Sequence, residues 1–145
     1  IVLGPGSLYT SILPNLLVRG INRALQESNG YTVFISNVAT QHGETNGYDA
    51  AEHLAVLRRH LGRDDVCDAV LANSNLPSGP LPAEWNSQPV IAHGDGNYGT
   101  ARLVLADLVD PEKRYRHDTD RLAAAVMRAY YERDLRAQVS VAFKD

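Results

Sequence analysis

Two stretches near the start of this chain carry the residue types that hold a small anionic or hydroxyl-bearing ligand. The first is Gly4-Pro5-Gly6-Ser7-Leu8-Tyr9-Thr10-Ser11. Gly4 and Gly6 let a backbone approach closely, and Pro5 fixes the turn. Ser7, Tyr9, Thr10 and Ser11 offer four neutral hydroxyls to a phosphate or a sugar. The alternative is a tight βα turn whose Ser and Thr cap a helix, since the stretch is neither GxGxxG nor a Walker loop with its Lys. The second stretch runs from Asn37 to Gly47, where Asn37, Thr40, Gln41 and Thr45 can both donate and accept. Its only carboxylate is Glu44. Glu44 either accepts from ligand hydroxyls, holds a metal or acts as a base, or it stabilises the amino end of a helix starting near Tyr48.

A third group, Arg114-Tyr115-Arg116-His117-Asp118, precedes the last helical pattern. Either Asp118 caps that helix with His117 packed beside it, or the group adds positive charge to an anion site with Asp118 orienting His117. A hydrolase arrangement of Ser7, His117 and Asp118 lacks the GxSxG nucleophile elbow. His42 and His53 do not have the spacing of a zinc-binding helix pair, and His53, next to Leu54, is expected to be half-buried. No residue is assigned as catalytic, and no metal ligand is assigned.

These groups must be positioned by one ordinary core, because 145 residues with 44% hydrophobic content make one domain. The net charge of −3 gives no footprint for nucleic acid. The lone Cys67, in an apolar context, reads as a buried inert thiol in a reducing, cytoplasmic setting. No apolar run approaches the roughly 20 residues that span a bilayer. The sequence has no initiating Met and opens within an apparent strand, so it is expected to be the carboxyl-terminal part of a longer polypeptide.

Apolar periodicity supplies the elements. Ile1-Val2-Leu3 reads as the last half of a buried strand. Ile12, Leu13, Leu16, Leu17, Ile21 and Leu25 recur at helical intervals, and Pro14 and Gly20 predict a break near Arg19-Gly20. Thr32 to Ser36 is a short strand. Ala50, Leu54, Leu57 and Leu61 share one helical face, with Arg58, Arg59 and His60 in the last turn and Gly62 at the cap. Val66 to Ala72 and Ala101 to Val109 are further strands, separated by a Pro-, Ser-, Asn- and Gly-rich surface excursion, Asn73 to Asn97, with no assignable chemistry. Asp118 or Thr119 caps a final helix carrying Leu122, Ala123, Val126, Met127 and Tyr130. This alternation predicts an α/β fold with a mainly parallel sheet, whose ligands bind beyond the carboxyl ends of the strands. Both polar loops fall there. A packing domain without a ligand leaves that coincidence unexplained.

The motifs carry a resemblance. Gly4-Pro5-Gly6-Ser7-Leu8-Tyr9-Thr10-Ser11-Ile12-Leu13-Pro14-Asn15-Leu16-Leu17 resembles the signature of the YvcK family of gluconeogenesis factors, relatives of CofD, the 2-phospho-L-lactate transferase of coenzyme F420 biosynthesis. Asn37 to Thr45 resembles the second signature of that family, and Arg116-His117-Asp118 its carboxyl-terminal one. The likeness runs from about Ile1 to Tyr131 and is weak across Ser74 to Tyr98. Ala39 and His42 replace a usual Met and Pro, and Arg19 stands where a Pro is usual. The glycine-rich opening loop and Asp-Asp-Gly-Gly segment of the family's amino-terminal half are not in this sequence.

The resemblance implies a Rossmann-like three-layer α/β domain over residues 1–135, incomplete at its amino-terminal side, with 136–145 left as an unassigned tail. It implies a UDP-sugar or another nucleotide diphosphate as ligand, and a role in gluconeogenic growth, cell shape and cell-wall synthesis. The alternative it carries is phospholactate transfer to a deazaflavin, and Mg2+ enters as a cofactor only there. The ligand contacts implied are Gly4, Gly6, Ser7, Tyr9, Thr10, Ser11, Asn15, Asn37, Thr40, Gln41, Gly43, Glu44, Thr45, Arg116, His117 and Asp118. A homo-oligomer is a further partner expectation; nucleic acid is not.

Overall fold

In the computed structural model the described residues are 1–133, so the tail expected at 136–145 lies outside them. Four parallel strands stand in sequence order: β1 (Val2–Leu3), β2 (Val33–Ile35), β3 (Ala69–Asn73) and β4 (Arg102–Ala106). Leu3 pairs with Phe34, Phe34 with Val70, and Val70 with Leu103. Side chains alternate across a strand, so neighbouring residues feed opposite layers. Phe34, Val70 and Ala72 pack with Leu13 and Leu16 of α1 (Leu13–Leu16) and with Leu54 and Leu57 of α3 (Ala50–Leu61). Val33, Ile35, Ala69 and Leu71 pack on the other face with Ala125, Leu122 and Val126 of α4 (Thr119–Tyr131). The result is the expected three-layer α/β arrangement, with the central strands β2 and β3 buried throughout and the edge strands β1 and β4 partly exposed.

The helices start where local chemistry dictates. Asp49 accepts from the Glu52 backbone N–H at 2.7 Å while the Glu52 carboxylate accepts from the Asp49 N–H at 2.8 Å, a reciprocal cap that begins α3. Glu44 has no part in it, so the expectation that Glu44 stabilises this helix start is corrected. Gly62 ends α3 in the left-handed region at φ +66°. Asp118, not Thr119, caps α4: its carboxylate accepts from the N–H groups of Asp120 and Arg121 at 3.0 and 2.9 Å.

Several boundaries move. The first helical stretch breaks at Leu17-Val18, where Val18 is extended, and resumes as α2 (Arg19–Glu27). None of the residues of α2 is fully buried: Ile21 is 45% exposed, and Leu25 packs only partly against the core. The strand expected from Val66 starts at Ala69, since Val66 and Cys67 are buried ahead of the ladder. The strand expected to reach Val109 ends at Ala106. Burial pushes the Cys67 thiol up to about 12, which makes it a packing group. No helix among the described residues is long and apolar enough to cross a membrane.

Candidate functional site

Parallel strands deliver their following loops to one edge, and here β1 and β2 deliver Gly4–Ser11 and Asn37–Gly47. Between these loops and the segment before α4 lies a cleft of about 790 Å³. Pro5, Gly6 and Ser7 form one wall, Asn37, Thr40, Gln41 and His42 the floor, and Tyr115, Arg116 and His117 the other wall. A second concavity of about 730 Å³ lies at the opposite edge, between Ile1, Tyr31, Arg63 and Tyr130. The carboxyl-end cleft is the candidate site, because it gathers residues from all three polar groups of the sequence.

The first wall is shaped by a wide turn. The N–H groups of Ser11 and Ile12 both converge on the Ser7 carbonyl, at 3.0 and 2.9 Å, and the turn Leu8–Ile12 runs on into α1. Gly4 sits at φ +88°, where a side chain would be strained and a Cβ would also press on the Ile35 carbonyl at 3.2 Å. Ser7 is the cap of the turn, accepting from the Thr10 N–H at 3.3 Å. Tyr9 turns away, sharing a hydrogen bond between its hydroxyl and that of Tyr48 at 3.0 Å. Gly4, Ser11 and Asn15 line a smaller neighbouring hollow of about 380 Å³ that shares Pro5. The Asn15 amide donates to the Ser11 carbonyl at 2.6 Å.

The floor is held by two threonines. The Thr40 N–H donates to the Gln88 carbonyl at 2.8 Å, and the Thr40 hydroxyl accepts from the Gln88 N–H at 2.9 Å. Thr40 is 5% exposed, so this bonding is its principal work. The fully buried Thr45 accepts from the Gln41 N–H at 2.9 Å, closing the turn that carries Gln41. Gly43 forms the tip of that turn at φ +79°, its N–H donating to Asn46. Replacing Thr40 by alanine is expected to orphan the Gln88 N–H and cost about 1–3 kcal/mol, read as a lower urea midpoint. An unchanged midpoint with weaker ligand binding would return the hydroxyl to the ligand.

Thr40 also explains what the sequence concealed. Together with the bond from the Val90 N–H to the Val38 carbonyl at 3.0 Å, it pairs residues 38–40 with 88–90 and lays the excursion along the cleft. Ser87 therefore lines the site, and Trp85 stands behind Tyr115 with ring centroids 4.3 Å apart. Ser87 belongs to the excursion read as having no assignable chemistry; Tyr115, Thr119 and Leu122, expected only as a neighbour of the basic group, a cap and helix packing, line the cleft as well. The one available signal was the chain's single Trp in an otherwise polar stretch.

On the far wall, Arg116 is exposed, pairs with no carboxylate among the described residues, and holds its guanidinium carbon 5.4 Å from the Tyr115 ring centre. The His117 Nε2–H donates to the Ser36 carbonyl at 3.3 Å. Asp118 is engaged with the start of α4, so it does not orient His117, and the Ser7, His117, Asp118 arrangement does not form. Burial holds His117 below the ordinary 6.5, partly offset by the Ser36 bond. His53 is 1% exposed rather than half-buried; its Nδ1–H donates to the Asp49 carbonyl at 2.7 Å and its buried Nε2 has no partner among the described residues. Burial likewise lowers its affinity for protons, against the Asp49 bond and the Asp49 and Glu52 charges.

Both shifts have the same sign. As pH falls through 6.5 the unfolded chain takes up protons that the folded chain refuses. Stability is thus full above 6.5 and is lost as pH drops toward the lowered native values. Urea midpoints should fall between about pH 7.5 and 5.5. Replacing His53 by glutamine should flatten that slope, and an equally steep slope would remove His53 from the account.

Among the described residues no group of three or more His, Cys, Asp or Glu side chains is placed to hold a metal ion. With this geometry in view, comparison with known proteins is informative. The sequence profile of the 2-phospho-L-lactate transferase CofD family matches residues 1–109. The chain is similar to the gluconeogenesis factor of Halalkalibacterium halodurans, at 36% identity over 132 residues, covering 88% of this chain and 41% of that protein. A crystal structure of a Bacillus halodurans protein superposes with a TM-score of 0.79 at 36% identity, covering 88% of this chain and 42% of that one. A second, described as a member of the UPF0052 family, gives 0.76 at 35% identity over 88% of this chain and 42% of that chain. The chain thus spans about two fifths of the length of these relatives. A family profile over most of the chain, with relatives named as gluconeogenesis factors, settles the kinship: this chain belongs to the CofD family, on its YvcK-like side.

Proposed function

We propose that this chain forms part of a cytoplasmic nucleotide-sugar-binding regulator of the YvcK type, which takes a UDP-sugar in the cleft at the carboxyl ends of β1 and β2. The role that goes with it is control of cell shape and wall synthesis during gluconeogenic growth. The observation that carries this reading is the meeting of Gly6-Ser7, Asn37-Gln41 and Arg116 around one cleft. In it, backbone N–H groups at Gly6 and Ser7 and the Arg116 guanidinium serve the diphosphate. The Asn37 and Gln41 amides serve sugar or base; the side-chain Oε1 of Gln41 is buried with no partner among the described residues, as a group awaiting a donor would be.

A second reading, transfer of a phospholactyl group, is favoured by the activity for which the matching family is named. It calls for Mg2+. The one carboxylate in the two loops, Glu44, is bonded to Ser7, so the described residues do not fit a cation site and no step is derived through it. Thermal shifts of the full-length protein with UDP-N-acetylglucosamine, GDP and GTP separate the two. A ligand at a hundredfold its Kd adds about 2.7 kcal/mol, so stabilisation by the UDP-sugar alone is the expected result. Turnover of a guanylylated phospholactate would overturn it.

A further inference from the structure

Glu44 is the only acid in either loop of the cleft, yet it does not line the cleft. Its Oε2 accepts from the Ser7 hydroxyl at 2.8 Å, across 37 residues of sequence. The same Ser7 oxygen accepts from the Thr10 hydroxyl at 2.5 Å and from the Thr10 N–H at 3.3 Å. A serine hydroxyl has one proton to give and two lone pairs to offer, and all three are engaged. The Ser7 side chain is therefore spent within the protein. Its backbone N–H and that of Gly6 meet no acceptor among the described residues, and these two residues form the wall of the cleft.

At its other end, Glu44 belongs to the turn that carries Gln41. The Glu44 N–H donates to the Gln41 carbonyl at 3.1 Å and the Thr45 N–H to the same oxygen at 2.9 Å. The Ser7–Glu44 bond thus ties the turn after β1 to the turn after β2, and both turns face one cleft. We propose that Glu44 is a positioning residue: it holds the Gly6-Ser7 amides and Gln41 in fixed relation across the cleft, and touches no ligand itself. This rests on the reading of the cleft as a nucleotide-sugar site. It assigns the carboxylate a task different from accepting sugar hydroxyls, holding a metal or acting as a base.

The test compares Glu44→Ala with Glu44→Gln in the full-length protein, by calorimetric titration with UDP-N-acetylglucosamine and by amide hydrogen exchange without ligand. Glutamine keeps an acceptor oxygen for Ser7 and removes the charge; alanine removes both. Glu44→Ala should lower affinity about tenfold and speed exchange of the Ser11 and Ile12 amides, whose bonds to the Ser7 carbonyl depend on the brace. Glu44→Gln should stay within about twofold of the parent in exchange, and bind equally or more tightly, since an anion no longer has a negative neighbour. Equal loss of affinity in both variants would overturn the proposal, because the carboxylate would then be meeting the ligand itself. So would unchanged exchange at Ser11 and Ile12 in Glu44→Ala. If the parent protein binds no UDP-sugar, the nucleotide-sugar reading fails, and the exchange data still decide whether the brace exists.

Discussion

Phe34→Ala is expected to cost about 3–5 kcal/mol of folding stability, the range for deleting a fully buried aromatic ring. Phe34 is 1% exposed and sits in the middle of β2, paired with Leu3 on one side and Val70 on the other. Its ring fills the layer between the sheet and the helices α1 and α3, where Leu8, Leu13, Leu54 and Leu57 surround the same core. None of these neighbours can move into the void without dragging its own element, so the cavity persists. The measurement is urea denaturation, with a lower midpoint and an unchanged slope. A loss below about 1 kcal/mol would mean that the layer collapses around the gap. The helices would then not be held to β2 as described. The loops after β1 and β2 leave the sheet one or two residues from this ring, so ligand binding should weaken with it.

Arg116→Ala is expected to lower affinity for the UDP-sugar about 10- to 100-fold while leaving the melting of the ligand-free protein close to the parent. The guanidinium is exposed, pairs with no carboxylate among the described residues, and lies 5.4 Å from the Tyr115 ring centre. Little folding energy is therefore lost with it, as for most surface substitutions. A hydrogen bond between charged groups contributes about 1.5–3 kcal/mol, which sets the fold-change. Arg116→Lys should recover only part, because lysine keeps the charge but not the planar fork. If calorimetry shows Arg116→Ala binding as the parent does, the diphosphate does not lie against this wall.

The parts of the fold that were legible in the sequence are those decided within a few residues. Asp118 announced the start of α4, Gly62 the end of α3, and Val33–Ile35 a strand, because each obeys local capping or β-branched chemistry. The layer order followed from the alternation of strands and helices. Decisions reached across the chain were not legible. Thr40 read as a ligand hydroxyl because its partner, Gln88, lies 48 residues on in a stretch with no periodicity. Glu44 sat just ahead of a helix and invited the dipole reading, whereas its actual partner is Ser7. The apolar stripe of α2 is periodic, yet Ile21 stays exposed and Leu25 is only partly covered, since periodicity describes a face and not what covers it. For the cleft, the sequence supplied both loops and the group around Arg116, and missed Ser87, which arrives there through the pairing of residues 38–40 with 88–90.

The inertness of Cys67 has a practical use. It is the only sulfhydryl in the sequence, it is 6% exposed, and its proton is held to about pH 12, so alkylating dyes at neutral pH have nothing to attack. Gly79, on the exposed excursion, has open space around an added Cβ. Within these 145 residues, Gly79→Cys would be the one thiol open to such a dye. A fluorophore there would sit on the same excursion that Thr40 anchors beside the cleft, ready to signal its movement when the cleft fills.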